Sequence, residues 1–150
     1  MRRDLKGVIH LFSARSPGVP AIRDHAAYDQ TPFNSSSSGG TRNHVEGWVG
    51  PARIHNNVHV WVGGDMQLSS SPNDPVFFLH HCNVDRIWAA WQEKHPASPY
   101  VPDMSAPAAL QFHRIDDALY SVFEETVTPR QMVDYKSFYN YDTLTDLTEP

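Results

Sequence analysis

One segment of the sequence carries a full set of signals for a long helix, and it constrains the fold more than any other feature. Asn73 or Asp74 can cap its first turn, and Pro75 suits the first helical position because its missing N–H costs nothing there. Residues 76–94 then carry apolar residues at helical spacing, and Pro96 marks the stop. The apolar set comprises Val76, Leu79, Val84, Ile87, Trp88 and Trp91. We therefore predict a helix over Val76–Lys94.

Shorter helical segments surround this long helix. Residues 52–62 are predicted to be helical and to end at the glycine pair 63–64, which is a good stop signal. Residues 42–48 predict a further short helix, and the Thr-Pro pair that opens residues 128–135 is typical of another helix start. The pattern as a whole predicts a mainly α protein.

The remaining segments are predicted to be loops, or are ambiguous. Residues 35–40 form a flexible Ser/Gly loop, and residues 65–72 form a polar, Ser-rich loop. Residues 96–109 are a Pro-rich stretch that we expect to run extended along the surface. Residues 110–125 fit either a helix or a strand, and the aromatic tail 138–141 is expected to dock on the domain.

Length and composition favour one globular domain that spans residues 1–150. The chain has 150 residues and a mass of 17.0 kDa, and 40% of its residues are hydrophobic. A chain of this size can bury a core without a disulfide scaffold. We find no internal repeat. The formal net charge of −5, with no block of like charges, argues against nucleic acid or an anionic membrane as the main partner.

No targeting or membrane segment is recognisable in the sequence. No run approaches the ~20 apolar residues that a membrane span requires. Residues 1–6 are basic but contain an acidic residue, and the short apolar run that follows makes a poor secretory signal. We expect a soluble chain without an export tag, cytoplasmic as written. Cys82 is the single cysteine, which excludes an intrachain disulfide, and we predict a buried, inert thiol there.

Histidines on the two strongest helices have the spacing of metal ligands. His55 and His59 lie four residues apart, so both imidazoles share one helix face, although a pair of surface histidines fits this spacing equally well. A neighbouring antiparallel helix could add His81, whose outer N–H could be accepted by Asp85 one turn later. His80 aligns with core positions, and we assign it as a packed or hydrogen-bonded neighbour.

The residues between the first two histidines narrow the chemistry. They are Asn56, Asn57 and Val58, so the glutamate that serves as the base in H-E-x-x-H zinc proteases is absent. Three neutral imidazoles without a thiolate or carboxylate suit copper, zinc or iron. The ligand set alone does not choose among these metals.

The wider sequence around these histidines closely resembles the copper-B half of tyrosinases, especially the bacterial ones. The matching segments are Glu46–Trp48, Ile54–Gly64, Ser71–His81 and Asn83–Trp88, with weaker likeness over Tyr28–Asn34 and at Tyr139–Tyr141. The resemblance implies a helical bundle of the dicopper-centre type, of which this chain has the half with the copper-B helix pair and long loops. It also implies that the chain is the C-terminal half of a tyrosinase core.

The resemblance implies a type-3 copper oxidoreductase. Such enzymes hold two copper ions, hydroxylate monophenols to o-diphenols with dioxygen, and oxidise o-diphenols to o-quinones, the first steps of melanin formation. The partners implied are therefore phenols, catechols and dioxygen. A catechol oxidase without monophenolase activity, a hemocyanin-like oxygen carrier, and a one-metal histidine protein without turnover are the alternatives.

The same resemblance implies roles for individual residues. His55, His59 and His81 correspond to the copper-B ligands, while Glu46 and Asn56 correspond to a pair that holds a water and helps to deprotonate the phenol. A carboxylate and an amide can orient a water as proton acceptor beside a Lewis-acidic metal. A solvated helix residue and a helix-surface amide are the alternative interpretations of the pair.

Two further positions correspond to the substrate entrance of the family. Val60 directly follows the second ligand, and Ser71 lies in the loop before the third. Simple packing and loop polarity explain these two residues equally well.

The copper-A half of the family is expected before residue 42, yet no helix there carries a convergent histidine pair. The other histidines are interpreted as surface or structural residues: His10, His25, His44, His95 and His113. Because a dinuclear site needs two metals about 3.5–4 Å apart, full activity requires a second site. The chain is then a fragment, a partner of a separate copper-A chain, or one of two copies that pair around a twofold axis.

Overall fold

The computed structural model describes residues 23–34, 39–47, 54–120 and 126–148. The helices in this part of the chain are α1 (Thr41–Glu46), α2 (Ile54–Val62), α3 (Val76–Lys94), α4 (Pro129–Met132) and α5 (Thr145–Thr148). Short 3₁₀ turns occur at Gly64–Gln67, Ser71–Asn73, Ala108–Leu110 and Tyr135–Ser137. The described residues contain no strand, which confirms the mainly α prediction.

Helix α3 has the predicted bounds, and its ends show why. The Asp74 carboxylate accepts the N–H of Val76 at 3.0 Å, so a side chain satisfies a donor that the first helical turn leaves free. At the other end, the N–H of His95 donates to the Trp91 carbonyl at 2.9 Å. Leu79, one of the apolar residues at helical spacing, is 73% exposed.

The core lies where four helices meet. Its buried members come from α1, α2, α3 and α5, and they are Val45, Ile54, Ile87, Ala90 and Leu147. Val84 and Leu144 pack against this cluster from its edge. Since α2 and α3 both contribute, burial of apolar area fixes the two histidine-bearing helices against each other.

The segment before α1 caps that helix with its backbone. The N–H groups of Thr41 and Arg42 donate to the carbonyls of Ala27 and Tyr28 at 3.0 and 2.9 Å. These bonds satisfy donors that a helix start leaves without partners, and no side chain at the N-cap does so. The described residues that contribute these carbonyls are therefore part of the same fold as α1.

The same segment is tied to the end of α3. The indole N–H of Trp91 donates to the His25 carbonyl at 2.6 Å, and the Ser98 hydroxyl donates to the Ala26 carbonyl at 2.5 Å. Trp91 is buried, whereas Trp61 is 45% exposed and does not belong to the core. Trp48 lies outside the described residues.

The C-terminal part of the chain packs on the last turns of α3. Thr128 and Gln131 form a capping box that opens α4, and this helix ends at Met132, earlier than the predicted end near residue 135. The Tyr135 hydroxyl donates to the Glu93 carboxylate at 3.0 Å. The capping box confirms the predicted helix start at the Thr-Pro pair.

Several predicted loops differ in detail. Residues 65–72 include parts of two 3₁₀ turns rather than an irregular loop, and residues 111–120 form turns without a regular helix or strand. Residues 96–109 are mostly exposed, as expected for a surface stretch. Within the predicted loop 35–40, residues 35–38 lie outside the described part of the chain, and Gly40 is buried.

The cysteine prediction is wrong, because Cys82 is exposed. It follows His81 on α3 and lines a surface groove that the tail residues 139–142 complete.

No helix in the described part of the chain is long and apolar enough to cross a membrane.

A glycine at position 40 is required by the backbone of its neighbours. Gly40 has φ +101°, and a Cβ there would lie 2.8 Å from both the Asp29 Cα and the Tyr28 carbonyl oxygen. We expect Gly40→Ala to lower the free energy of unfolding by at least about 1–3 kcal/mol, measured by urea denaturation. Gly39→Ala is the matched control, since its Cβ would meet only the flexible end of Gln30. Equal losses in the two variants would contradict this explanation.

Candidate metal centre

Three imidazoles converge between α2 and α3. The Nε2 atom of His59 lies 3.1 Å from Nε2 of His55 and 3.3 Å from Nε2 of His81. The potential ligand atoms of these half-buried residues all lie within 4.8 Å of one another. The structure therefore brings together the three residues that the sequence predicts as ligands.

Helix packing explains why these rings meet. His55 and His59 lie on successive turns of α2. Ile54 and Val58, each one residue before a histidine, are buried, and Ile54 shares the core with residues of α3, so the face that carries the two rings adjoins the face that packs on α3. One imidazole from α3 is then enough to complete the cluster.

His80 lies at the interface of the two helices and takes the role of a hydrogen-bonded neighbour, as predicted. Its side chain is 1% exposed, and its Nε2 lies 3.1 Å from the His55 carbonyl oxygen, which can only accept. Burial and the surrounding imidazoles lower the pKa of His80 to about 3. A neutral ring that donates through Nε2 supports the backbone of a ligand residue and does not compete for the metal.

The tautomer of His59 is set by a backbone carbonyl. Its Nδ1 lies 2.5 Å from the Met66 carbonyl oxygen, in the 3₁₀ turn that follows α2. Because a carbonyl only accepts, Nδ1 carries the hydrogen, and Nε2 of the neutral ring keeps its lone pair. This lone pair points to the centre of the cluster.

The tautomer of His55 is set in a similar way by two predicted catalytic residues. Its Nδ1 lies 3.0 Å from Oδ1 of Asn56 and 3.4 Å from the Glu46 carboxylate. A carboxylate only accepts, so the hydrogen belongs on Nδ1 and the Nε2 of His55 also keeps its lone pair. The structure thus brings Glu46 and Asn56 together on the outer side of this ligand.

The contact between the Nε2 atoms of His55 and His59 tests whether the site fits a metal ion. Two lone pairs, those of His55 and His59, face each other across 3.1 Å, which is unfavourable unless a cation lies between them. Bond lengths of ~2.0–2.1 Å from a metal to imidazole nitrogens separate neighbouring ligand atoms by about 3.3–3.5 Å, close to the observed spacing. Burial and the other two imidazoles lower the pKa of His81 to about 4, so this ring is also neutral. The donor set therefore fits a metal that prefers imidazoles.

Asp85 differs from its prediction, because its partners are tyrosines rather than His81. The hydroxyl of Tyr139 donates to its Oδ2 at 2.5 Å, and the hydroxyl of Tyr141 donates to the same oxygen. Burial and the neighbouring carboxylate raise the pKa of Tyr139 to about 12. These bonds confirm that the aromatic tail docks on the domain, next to the residue that carries the third imidazole.

His81 lines two clefts. One, of about 260 Å³, lies between α1 and α3 and includes Glu46, Asp85 and Trp88 in its lining. The other is an open groove of about 500 Å³ under the tyrosine tail. Both bring solvent-accessible space to the edge of the imidazole cluster.

The predicted substrate residues lie near the ligands in the chain. Val60 is 63% exposed and follows His59 on α2, and Ser71 is partly exposed in the turn before α3. No described contact joins either side chain to the imidazole cluster, so their role stays a prediction.

Sequence reasoning missed Met66, whose carbonyl acts independently of its side chain. The glycine pair before it is the signal that a tight turn follows.

The other histidines lie apart from this cluster. His25 and His44 stack on each other with ring centroids 3.9 Å apart, His95 hydrogen-bonds the Arg23 carbonyl, and His113 is exposed. His10 lies outside the described residues. Within the described part of the chain, the one group of three or more residues able to hold a metal is the imidazole cluster.

Comparison with known proteins agrees with this site. Residues 10–94 match the family model of the common central domain of tyrosinase. A tyrosinase of Streptomyces antibioticus is 44% identical over 142 residues, which cover 95% of this chain and 49% of that protein. A tyrosinase of Streptomyces glaucescens is 41% identical over 143 residues, with the same coverage of both chains. A grixazone synthase of Streptomyces griseus is 39% identical over 158 residues, which cover 87% of this chain and 47% of that protein.

These matches cover nearly the whole chain at a level of identity that fixes the family. The chain spans about half the length of the curated relatives it matches. The matched region contains the three converging imidazoles, whose chemistry fits the copper on which this family depends. The chain belongs to the tyrosinase family of type-3 copper proteins.

Proposed function

We propose that this chain supplies one copper site of a tyrosinase. The complete enzyme hydroxylates monophenols to o-diphenols and oxidises o-diphenols to o-quinones with dioxygen. The observation that carries the proposal is the 3.1 Å contact between the Nε2 atoms of His55 and His59, both with their lone pairs directed inward. His81 completes the ligand set, and copper, when bound, supplies the redox chemistry.

Glu46 and Asn56 act as the proton-handling pair. The Glu46 side chain is 42% exposed and lines the cleft beside His81, so a carboxylate oxygen is accessible to water and to a phenol. Oδ1 of Asn56 accepts from His55, which leaves its amide N–H groups to orient a water. The pair holds this water, and the phenol proton passes through it to the carboxylate of Glu46.

Val60 and Ser71 form part of the substrate entrance. The exposed position of Val60, one residue after His59, supports a role as an apolar wall that a phenol ring contacts. Ser71 offers a hydroxyl in the turn that leads to α3. Both contacts are expected to change substrate preference more than the metal affinity.

The complete activity needs a second copper site. The described part of the chain offers one cluster of potential ligands, so the second set comes from elsewhere: another part of a longer chain, a separate copper-A chain, or a second copy. Exposed apolar residues beside His81, Phe78 and Leu79 among them, are suited to contact such a partner.

The experiment that tests the function combines three measurements on the copper-loaded protein. These are copper per chain, oligomeric state, and oxidation of a monophenol and of a catechol. We expect one copper per chain, with both phenol activities appearing only in assemblies that contain two coppers. Catechol oxidation alone would indicate a catechol oxidase, and reversible oxygen binding without turnover would indicate a carrier. Zinc retained in preference to copper, without oxidation, would contradict the proposal.

We expect His59→Ala to abolish tight metal binding. His59 contributes the central nitrogen of the cluster, and even the loss of an outer hydrogen bond to a ligand typically costs 10–100-fold in affinity. The loss should therefore exceed about 100-fold, as measured by competitive Cu(I) titration. His113→Ala is the matched control because this exposed histidine lies outside the cluster. A metal affinity unchanged in His59→Ala would contradict the assigned ligand set.

We expect Asn56→Leu to reduce monophenol turnover far more than diphenol turnover in the assembled enzyme. Removal of a proton from a monophenol is the additional demand of hydroxylation, and Leu cannot orient the water. Comparison of kcat for the two substrate classes measures the effect. Asn57→Leu provides the control, since Asn57 is the exposed next residue on α2. Equal losses for both substrate classes would contradict the role of Asn56.

A further inference from the structure

The turn that follows α2 reaches back to the metal cluster. Residues Gly64–Gln67 form a 3₁₀ turn directly after the helix, and the Met66 N–H donates to the Gly63 carbonyl at 3.2 Å. The carbonyl of the same residue accepts the hydrogen on Nδ1 of His59. One backbone unit thus connects the shape of the turn to the tautomer of a ligand.

Gly63 determines the direction in which the chain leaves α2. Its backbone has φ 70° and ψ −166°, a region that is essentially restricted to glycine. A Cβ at this position would meet no atom within 4 Å, so space around the residue does not explain the glycine. The backbone conformation is therefore the physical reason for glycine at position 63.

Two contacts hold the turn in place once the chain has reversed. The Met66 side chain is 1% exposed and anchors the turn in the interior. The Gln67 amide, whose residue is exposed, donates to the Val60 carbonyl at 3.2 Å, near the end of α2. With the turn fixed at both points, the Met66 carbonyl has little freedom to leave His59.

We propose that the Gly63–Gln67 turn positions His59 for metal binding, and that Gly63 is the residue whose conformation makes this contact. With the hydrogen held on Nδ1 by the Met66 carbonyl, Nε2 keeps its lone pair toward the cluster. Gly63 is thus a positioning residue that acts through His59. The metal part of this inference rests on the proposed copper site, whereas the orientation of His59 does not.

The test compares the tautomer of His59 and the metal affinity in Gly63→Ala. Two-bond ¹⁵N–¹H correlation spectra of the metal-free protein report which ring nitrogen carries the hydrogen. We expect the Nδ1–H tautomer in the wild-type chain, loss of this single tautomer in Gly63→Ala, and about 10–100-fold weaker Cu(I) binding. An unchanged tautomer and affinity in a folded Gly63→Ala protein would overturn the proposal.

Gly40→Ala controls for a general loss of stability. It also places alanine at a positive φ, but in a contact with residues 28–29 instead of His59. We expect it to lower stability while the His59 tautomer stays as in the wild type, and an equal change of tautomer in both variants would overturn the proposal. If wild-type His59 shows the Nδ1–H tautomer but the chain binds no copper, the proposed function fails while the orientation of His59 stands.

A second variant keeps the test independent of folding. Gln67→Ala removes the exposed amide that ties the turn to the Val60 carbonyl and leaves Gly63 intact. We expect the tautomer and the affinity to change in the same direction as in Gly63→Ala, by a smaller factor. Gln111→Ala, at an exposed glutamine elsewhere, should change neither. If Gly63→Ala does not fold, a Gln67→Ala protein identical to the wild type in both measurements overturns the proposal.

Discussion

Two imidazole nitrogens with inward lone pairs, those of His55 and His59, face each other across 3.1 Å. This contact is unfavourable in the absence of a cation. Because both rings lie on α2, the hydrogen bonds of their outer nitrogens hold it, from Nδ1 of His55 to Asn56 and from Nδ1 of His59 to the Met66 carbonyl. Burial of Ile54, Val58 and Ile87 supplies the apolar area that keeps the helices together. The metal-free site therefore lowers the stability of the fold, and a bound cation both removes the repulsion and stabilises the native state.

The groups that orient the ligands come from different parts of the fold. Glu46 reaches His55 from α1, the Met66 carbonyl reaches His59 from the turn after α2, and His80 reaches the His55 carbonyl from α3. Each group fixes a ring or its backbone from outside the cluster. Because these supports lie on separate elements, a change in the packing of any one of them is transmitted to a ligand nitrogen.

The parts of the structure that the sequence predicts well depend on local signals. The bounds of helix 76–94 follow from a capping carboxylate, a proline and the apolar period, and the pair His55 and His59 follows from a spacing of one helical turn. Long-range contacts leave no such local signal. The Met66 carbonyl is a backbone group, and the bonds from the tyrosine tail to Asp85 join residues more than fifty positions apart. The exposure of Leu79 likewise depends on which helix face meets the core.

The imidazole cluster has one open side, which borders the cleft lined by His81 and Glu46. A structural metal site is closed by protein ligands, whereas a catalytic site keeps a coordination position free for substrate. The described residues supply three donor atoms, and the cleft beside His81 brings accessible space and the Glu46 carboxylate to the edge of the cluster. The core packing closes the other side, where His80 is buried. A metal ion held by these three imidazoles would thus be supported from the interior and would stay accessible to a small molecule from the cleft.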